Sequence, residues 1–125
     1  MSAEGQKKVL IIDDELDICF LFGRILHKRN MTIEFAHNLA EADTAIKNDP
    51  PFLIFLDNTL PDGQGIDFVP YLKQHYPATR VVIVTSNDSI SDQKKAFLKG
   101  ADDFMAKPLS LALINLTLDR MCALG

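Results

Sequence analysis

Four short apolar runs in this chain each end on a reactive side chain. Asp13 and Asp14 follow one, Asp57 a second, Thr85 a third and Lys107 a fourth. Three carboxylates gathered in one place repel one another unless a raised pKa or a bound cation neutralises them. Oxygen-only ligands in an open cleft suit Mg2+, which keeps several waters and takes one or two carboxylates together with a phosphoryl oxygen. A cation there makes an aspartate nucleophile credible: Asp57 would attack a phosphoryl group, Lys107 would neutralise the resulting oxyanions, and the Thr85 hydroxyl would donate to one of them. Singly, each residue has a plainer role. An acidic pair after a strand serves a helix dipole, a strand-ending Asp caps a turn, Lys before Pro is a solvated turn residue, and Thr favours β geometry. Four such run ends in one chain outweigh four separate coincidences.

For these side chains to meet, the runs must be parallel strands whose carboxyl ends share one edge, where open α/β sheets bind ligands. Residues 52–56 are five consecutive apolar positions, too few for a membrane span and without helical period, as expected of a strand buried on both faces. Asp57 ends that strand, and Pro61-Asp62-Gly63 supplies a turn in which glycine permits positive φ. Residues 7–12 read as the first strand, followed by helical spacing at Ile18, Leu21, Phe22 and Ile25 that Asn30 stops. Residues 31–36 read as the second strand. Asn38-Leu39-Ala40-Glu41 then resembles a capping box that opens a short helix, ended at Pro50 and Pro51. A third helix is expected over 66–75, with Pro70 either in its first turn or bending it. Residues 80–84 form the fourth strand. A helix over 89–99 has Ile90, Ala96 and Phe97 as its apolar points and stops at Gly100. Residues 102–106 are the fifth strand and 109–124 the fifth helix. Five alternations of strand and helix give a doubly wound parallel sheet with helices on both faces.

The last helix carries Leu109, Leu111, Leu113, Ile114, Leu116, Leu118, Met121 and Leu124, too many apolar positions for one stripe. At 100° per residue, Leu113, Leu116 and Arg120 fall on neighbouring angles, and Leu111, Leu118 and Cys122 on another side. One side packs on the sheet, and the remainder calls for a second interface. The 125 residues fit a single domain, 1–125, with one core. A net charge of −4 argues against a nucleic-acid surface, Lys94, Lys95 and Lys99 forming only a small basic cluster. No apolar stretch approaches a bilayer span and residues 1–8 are unlike a signal peptide, so a cytoplasmic location without membrane association is expected. Cys19 and Cys122 lie in helical patterns without metal-like spacing, as reduced, packed thiols would.

The chain resembles the response-regulator receiver domains of two-component signalling from about residue 7 to 122. The matching stretches are Ile11-Ile12-Asp13-Asp14-Glu15, Leu56-Asp57-Asn58-Thr59-Leu60-Pro61-Asp62-Gly63-Gln64-Gly65, Val84-Thr85-Ser86, and Gly100-Ala101-Asp102-Asp103-Phe104-Met105-Ala106-Lys107-Pro108. The resemblance implies a five-stranded sheet of order 2-1-3-4-5 with five helices, the order for which receiver proteins serve as a standing illustration. It implies that Asp57 accepts phosphate from a sensor histidine kinase or a histidine phosphotransfer protein, making the chain chiefly a signalling switch that catalyses its own aspartyl phosphorylation and dephosphorylation. It further implies Mg2+ held by Asp14, Asp57 and the Thr59 backbone carbonyl, with Asp13 acting directly or through water. Lys107 would reach the phosphoryl oxygens ahead of a cis Lys107-Pro108 bond, and Thr85 and Phe104 would be the switch pair. The fourth helix, fifth strand and fifth helix would then form a homodimer or bind an output partner. Leu60 and Ser86 depart mildly from the family's usual residues, and Phe104 lacks the hydroxyl that Tyr brings there. Thr59 and Asn87 fall at positions where the family varies and phosphoryl lifetime is tuned.

Three other readings compete. A flavodoxin-like cofactor binder needs a phosphate loop rich in Ser, Thr and Gly after the first strand, where Asp13-Asp14-Glu15 would repel a phosphate. A small aspartyl phosphatase needs a second acid two residues after Asp57, and that residue is Thr59. A receiver-like interaction module that is never phosphorylated would show a degenerate acidic set or lack the lysine, whereas all are intact here.

Overall fold

The structure, a computed structural model, describes residues 7–124 apart from Asp88. Most of the 1–8 stretch read above as unlike a signal peptide lies outside the described residues. The order is β1 (Lys8–Ile12), α1 (Leu16–Lys28), β2 (Thr32–Ala36), α2 (Leu39–Asn48), β3 (Leu53–Asp57), α3 (Gly65–His75), β4 (Arg80–Thr85), α4 (Ile90–Leu98), β5 (Asp103–Ala106) and α5 (Leu111–Ala123). Between β3 and α3, Thr59–Leu60 pairs antiparallel with Gly63–Gln64 as a small ribbon. The five main strands are parallel, in the order β2-β1-β3-β4-β5.

Strand alternation divides the core into two layers. Leu10, Ile12, Ile54, Leu56, Val81 and Ile83 face α2, α3 and α4. Val9, Ile11, Leu53, Phe55, Val82 and Val84 face α1 and α5, where the Phe22 and Phe55 rings lie 4.6 Å apart. β3 is buried at every position, which is why its sequence runs apolar without alternation until Asp57.

Local signals set the helix ends. Asn30 adopts φ 57° after α1 and Gly100 φ 111° after α4, both left-handed stops. The Asn38 side chain accepts from the Glu41 N–H at 2.8 Å, but Glu41 returns its carboxylate to the His37 N–H at 3.0 Å rather than to Asn38's own N–H. Ser89 and Ser110 cap α4 and α5. Cys19 and Cys122 are both free thiols.

Pro70 lies inside α3, beyond the first turn, because the helix begins at Gly65. Two details differ from expectation. On α4 only Ala96 is buried, while Ile90 and Phe97 face solvent. On α5 the grouping by angle fails: Leu118 is buried with Ile114, Thr117 and Met121, whereas Leu111, Leu116 and Leu124 are exposed and Leu113 packs partly on the core. The rotation of α5 over the sheet, not its list of leucines, decides which are covered.

Candidate functional site

Strand register brings the reactive residues to one edge. Ile12 lies level with Leu56 and Asp57 with Val84, so Asp13, one residue past β1, comes beside Asp57 on strands about 4.8 Å apart. The Asp13 N–H extends the ladder by bonding the Ala36 carbonyl at 3.0 Å. Thr85 lies opposite Ala106, and the next N–H, that of Lys107, donates to the Thr85 carbonyl at 2.8 Å. Asp57 continues the Leu53 and Phe55 series on the α1/α5 side, and Thr85 the Val81 and Ile83 series on the other.

Carboxylate oxygens of Asp13, Asp14 and Asp57 lie within 4.8 Å of one another. Asp13 and Asp57 are buried, at 2% and 4% exposure, and Asp14 opens to solvent. Lys107 Nζ is 3.5 Å from Asp13 Oδ2, 3.5 Å from Asp57 Oδ1, and paired with Glu15 Oε2. The Lys107-Pro108 bond is cis, as the resemblance implies. Burial, with the neighbouring Asp13 charge second, pushes the Asp57 carboxyl up to about 6 against the opposing pull of Lys107 and the Thr59 N–H. Burial also raises Asp13, opposed chiefly by its bond from the Glu15 N–H. For Lys107, burial works to lower the pKa, but Glu15, Asp13 and Asp57 together outweigh it and the ammonium is held. Three carboxylates gathered around a single ammonium, with Glu15 beside it as a fourth, leave a surplus of negative charge. With an oxygen-only donor set and Asp14 at the open mouth, the cluster fits a hard divalent cation such as Mg2+.

The remaining expected residues lie close by. Thr59 is exposed, and its N–H donates to Asp57 Oδ1 at 3.3 Å. Thr85 is buried, its hydroxyl oxygen accepting the Asn87 N–H at 3.1 Å. Thr85 and Phe104 line one cavity of about 170 Å³ with Asn58, Asn87 and Lys95. Phe104 is half-buried on the α2/α3/α4 layer.

Four residues play parts that the sequence did not single out. Glu15 holds Lys107. Asn58 accepts the Gly65 N–H on its carbonyl and the Ile66 N–H on Oδ1, both at 2.9 Å, tying the start of α3 to the end of β3. Gly65 must be glycine, since a Cβ there would stand 2.4 Å from the Asp57 carbonyl oxygen. Asp62 accepts the Leu39 and Ala40 N–H groups at 2.8 and 3.1 Å, capping α2 from another element. Only Glu15 carried a signal, its place after the acidic pair; the others depend on contacts distant in sequence or on backbone proximity.

Residues 9–119 match the model of the family described as the response regulator receiver domain. The chain is 37% identical over 111 residues to the response regulator protein PilR of Pseudomonas aeruginosa, covering 89% of this chain and 25% of that protein. Among solved structures it resembles the beryllofluoride-activated NtrC4 receiver domain dimer, with TM-score 0.87, 34% identity, and coverage of 93% and 96% of the two chains. It also resembles a response regulator of Burkholderia pseudomallei solved with a phosphorylated aspartic acid and a calcium ion, with TM-score 0.82, 28% identity, and coverage of 90% and 66%. The chain spans about a quarter to about half of the length of the curated relatives it matches.

Proposed function

The chain belongs to the response regulator receiver domain family, and on that premise we propose that it is a phosphorylatable receiver, one domain over 1–125, that takes a phosphoryl group on Asp57. The observation that carries this is the placing of a buried carboxylate, Asp57, 3.5 Å from the Lys107 ammonium and beside Asp13 and Asp14. A sensor histidine kinase or a histidine phosphotransfer protein is the donor. The Asp57 carboxylate attacks phosphorus, the P–N bond to the donor imidazole breaks with its electron pair going to the ring, and an aspartyl phosphate forms. Lys107 pairs with the phosphoryl oxygens and the Thr85 hydroxyl donates to one of them. Asp14, Asp57 and the Thr59 carbonyl would hold Mg2+, with Asp13 acting directly or through water, and its charge would offset that of the phosphoryl oxygens.

The donor's docking face is the apolar groove of Leu16, Phe20, Gly23 and Phe35, which begins two residues beyond Asp14 and so adjoins the cleft the phosphohistidine must enter. On the far side, Thr85 and Phe104 form the switch pair. The new anion draws the Thr85 hydroxyl toward it, and Phe104 turns into the space behind. The surface so altered is that of α4, β5 and α5, which mediates a homodimer or binds an output partner. A cytoplasmic location goes with such a donor. Acetyl phosphate and Mg2+ are expected to add one phosphoryl group, detected by intact mass, that is absent in Asp57→Asn and in chelator. Labelling that persists in either sample would refute the assignment.

A further inference from the structure

Glu15 takes no part in the chemistry above, yet it is the carboxylate nearest the Lys107 ammonium. We infer that Glu15 is a positioning residue that holds Lys107 at the rim of the cleft in the resting protein, and that Lys107 leaves Glu15 for the phosphoryl oxygens when the aspartyl phosphate forms. This rests on the phosphotransfer reading of the site.

The three acids around Lys107 differ in what losing it would cost. Asp13 and Asp57 have side chains 3% and 5% exposed, and a buried carboxylate stripped of its cation has no water to replace it. The Glu15 side chain is 57% exposed and is solvated as soon as the lysine departs. Glu15 is therefore the partner that Lys107 gives up most easily. Its backbone is nonetheless fixed. The Glu15 N–H donates to Asp13 Oδ1 at 2.8 Å, and its carbonyl accepts the Cys19 N–H at 3.2 Å as the first bond of α1. The side chain thus springs from an anchored point, with a reach that meets Lys107 at the mouth of the site. An aspartyl phosphate offers a denser anion at the Asp57 position, and the lysine exchanges an exposed carboxylate for it.

The test is a double-mutant cycle on beryllofluoride affinity at saturating Mg2+, measured by titration calorimetry in wild type, Glu15→Gln, Lys107→Met and the double variant. Asp17→Asn serves as a control, an exposed acid in the same helical turn, and melting temperatures check that each variant is folded. With Lys107 present, Glu15→Gln is expected to tighten beryllofluoride by about two- to fivefold, the strength of an exposed ion pair. With Lys107→Met it is expected to change nothing, and Glu15→Asp, which keeps the charge but shortens the reach, should tighten it as Glu15→Gln does. Equal tightening in both lysine backgrounds would reduce Glu15 to a field effect and overturn the inference, as would no tightening at all. A second readout needs no ligand: the Lys107 ammonium resonance in 15N-lysine protein should move on Glu15→Gln and stay for Asp17→Asn, and an unmoved resonance overturns the inference too. Wild type that does not bind beryllofluoride would instead refute the phosphotransfer reading, and the inference with it.

Discussion

At Asp57, burial of the carboxyl works against the fold. Its carboxyl is raised from the ordinary 3.8 to about 6, first by burial and then by Asp13. The folded protein therefore holds this proton more tightly than the unfolded chain does, so stability falls as pH rises from the ordinary value through about 6. At about pH 7.5 the ionised group costs on the order of 3 kcal/mol. Asp57→Asn keeps the volume and removes the charge. In chelator it is expected to melt several degrees above wild type at about pH 7.5, with the gap closing toward about pH 4. Added Mg2+ should narrow the gap from the other side by stabilising wild type. Thermal denaturation across that range checks both, and a variant melting at or below wild type at the higher pH would show that the charge is already compensated.

Among the elements, the ribbon after β3 depends on a helix that precedes it in the chain. Asp62 bonds the Leu39 and Ala40 N–H groups at the start of α2, and these bonds hold its carboxyl below the ordinary range. A lowered carboxyl contributes stability above the ordinary pKa and loses it as pH falls through the folded value. Gly63, at φ 153°, lets the ribbon press on α2, since a Cβ there would stand 3.0 Å from Leu39 Cδ1. Asp62→Ala is expected to lower the melting temperature at neutral pH, with a smaller difference in acid. It should also speed hydrogen exchange at Leu39 and Ala40, and unchanged protection at those two amides would mean the cap does not hold in solution. By contrast, α4 buries only Ala96, and an element so lightly anchored belongs to the low end of local stability.

Across the whole molecule, two sets of exposed apolar side chains stand out among the described residues. Leu16, Phe20 and Phe35 line one groove beside α1, and Ile90, Phe97 and Leu98 on α4 with Leu116 on α5 form the other set, while Leu111 lines a separate groove with Ile25 and Arg29 of α1 and Leu124 lies just past the end of α5. If the second set is the phosphorylation-dependent surface, sedimentation at several concentrations should show free protein as the smaller species and beryllofluoride-bound protein as a dimer, with Leu116→Glu and Phe97→Glu abolishing the shift. A monomer in both states, with partner binding intact in those variants, would rule the surface out. The alternation of strands and helices, the stops at Asn30 and Gly100, the cap at Asn38 and the placing of Asp13, Asp14, Asp57, Thr85 and Lys107 at strand ends were all determined by the sequence itself. Each is decided within a few residues by periodicity, backbone preference or the end of an apolar run. Only the tertiary structure decided that Asp13 and Asp57 are buried while Asp14 is open, that Glu15 holds a lysine 92 positions away, that Asp62 caps a helix 23 residues before it, and that Leu118 is covered where Leu111 is not. These depend on how far one strand runs past its neighbour and how a helix is rotated over the sheet, and packing sets both between residues that no local pattern links.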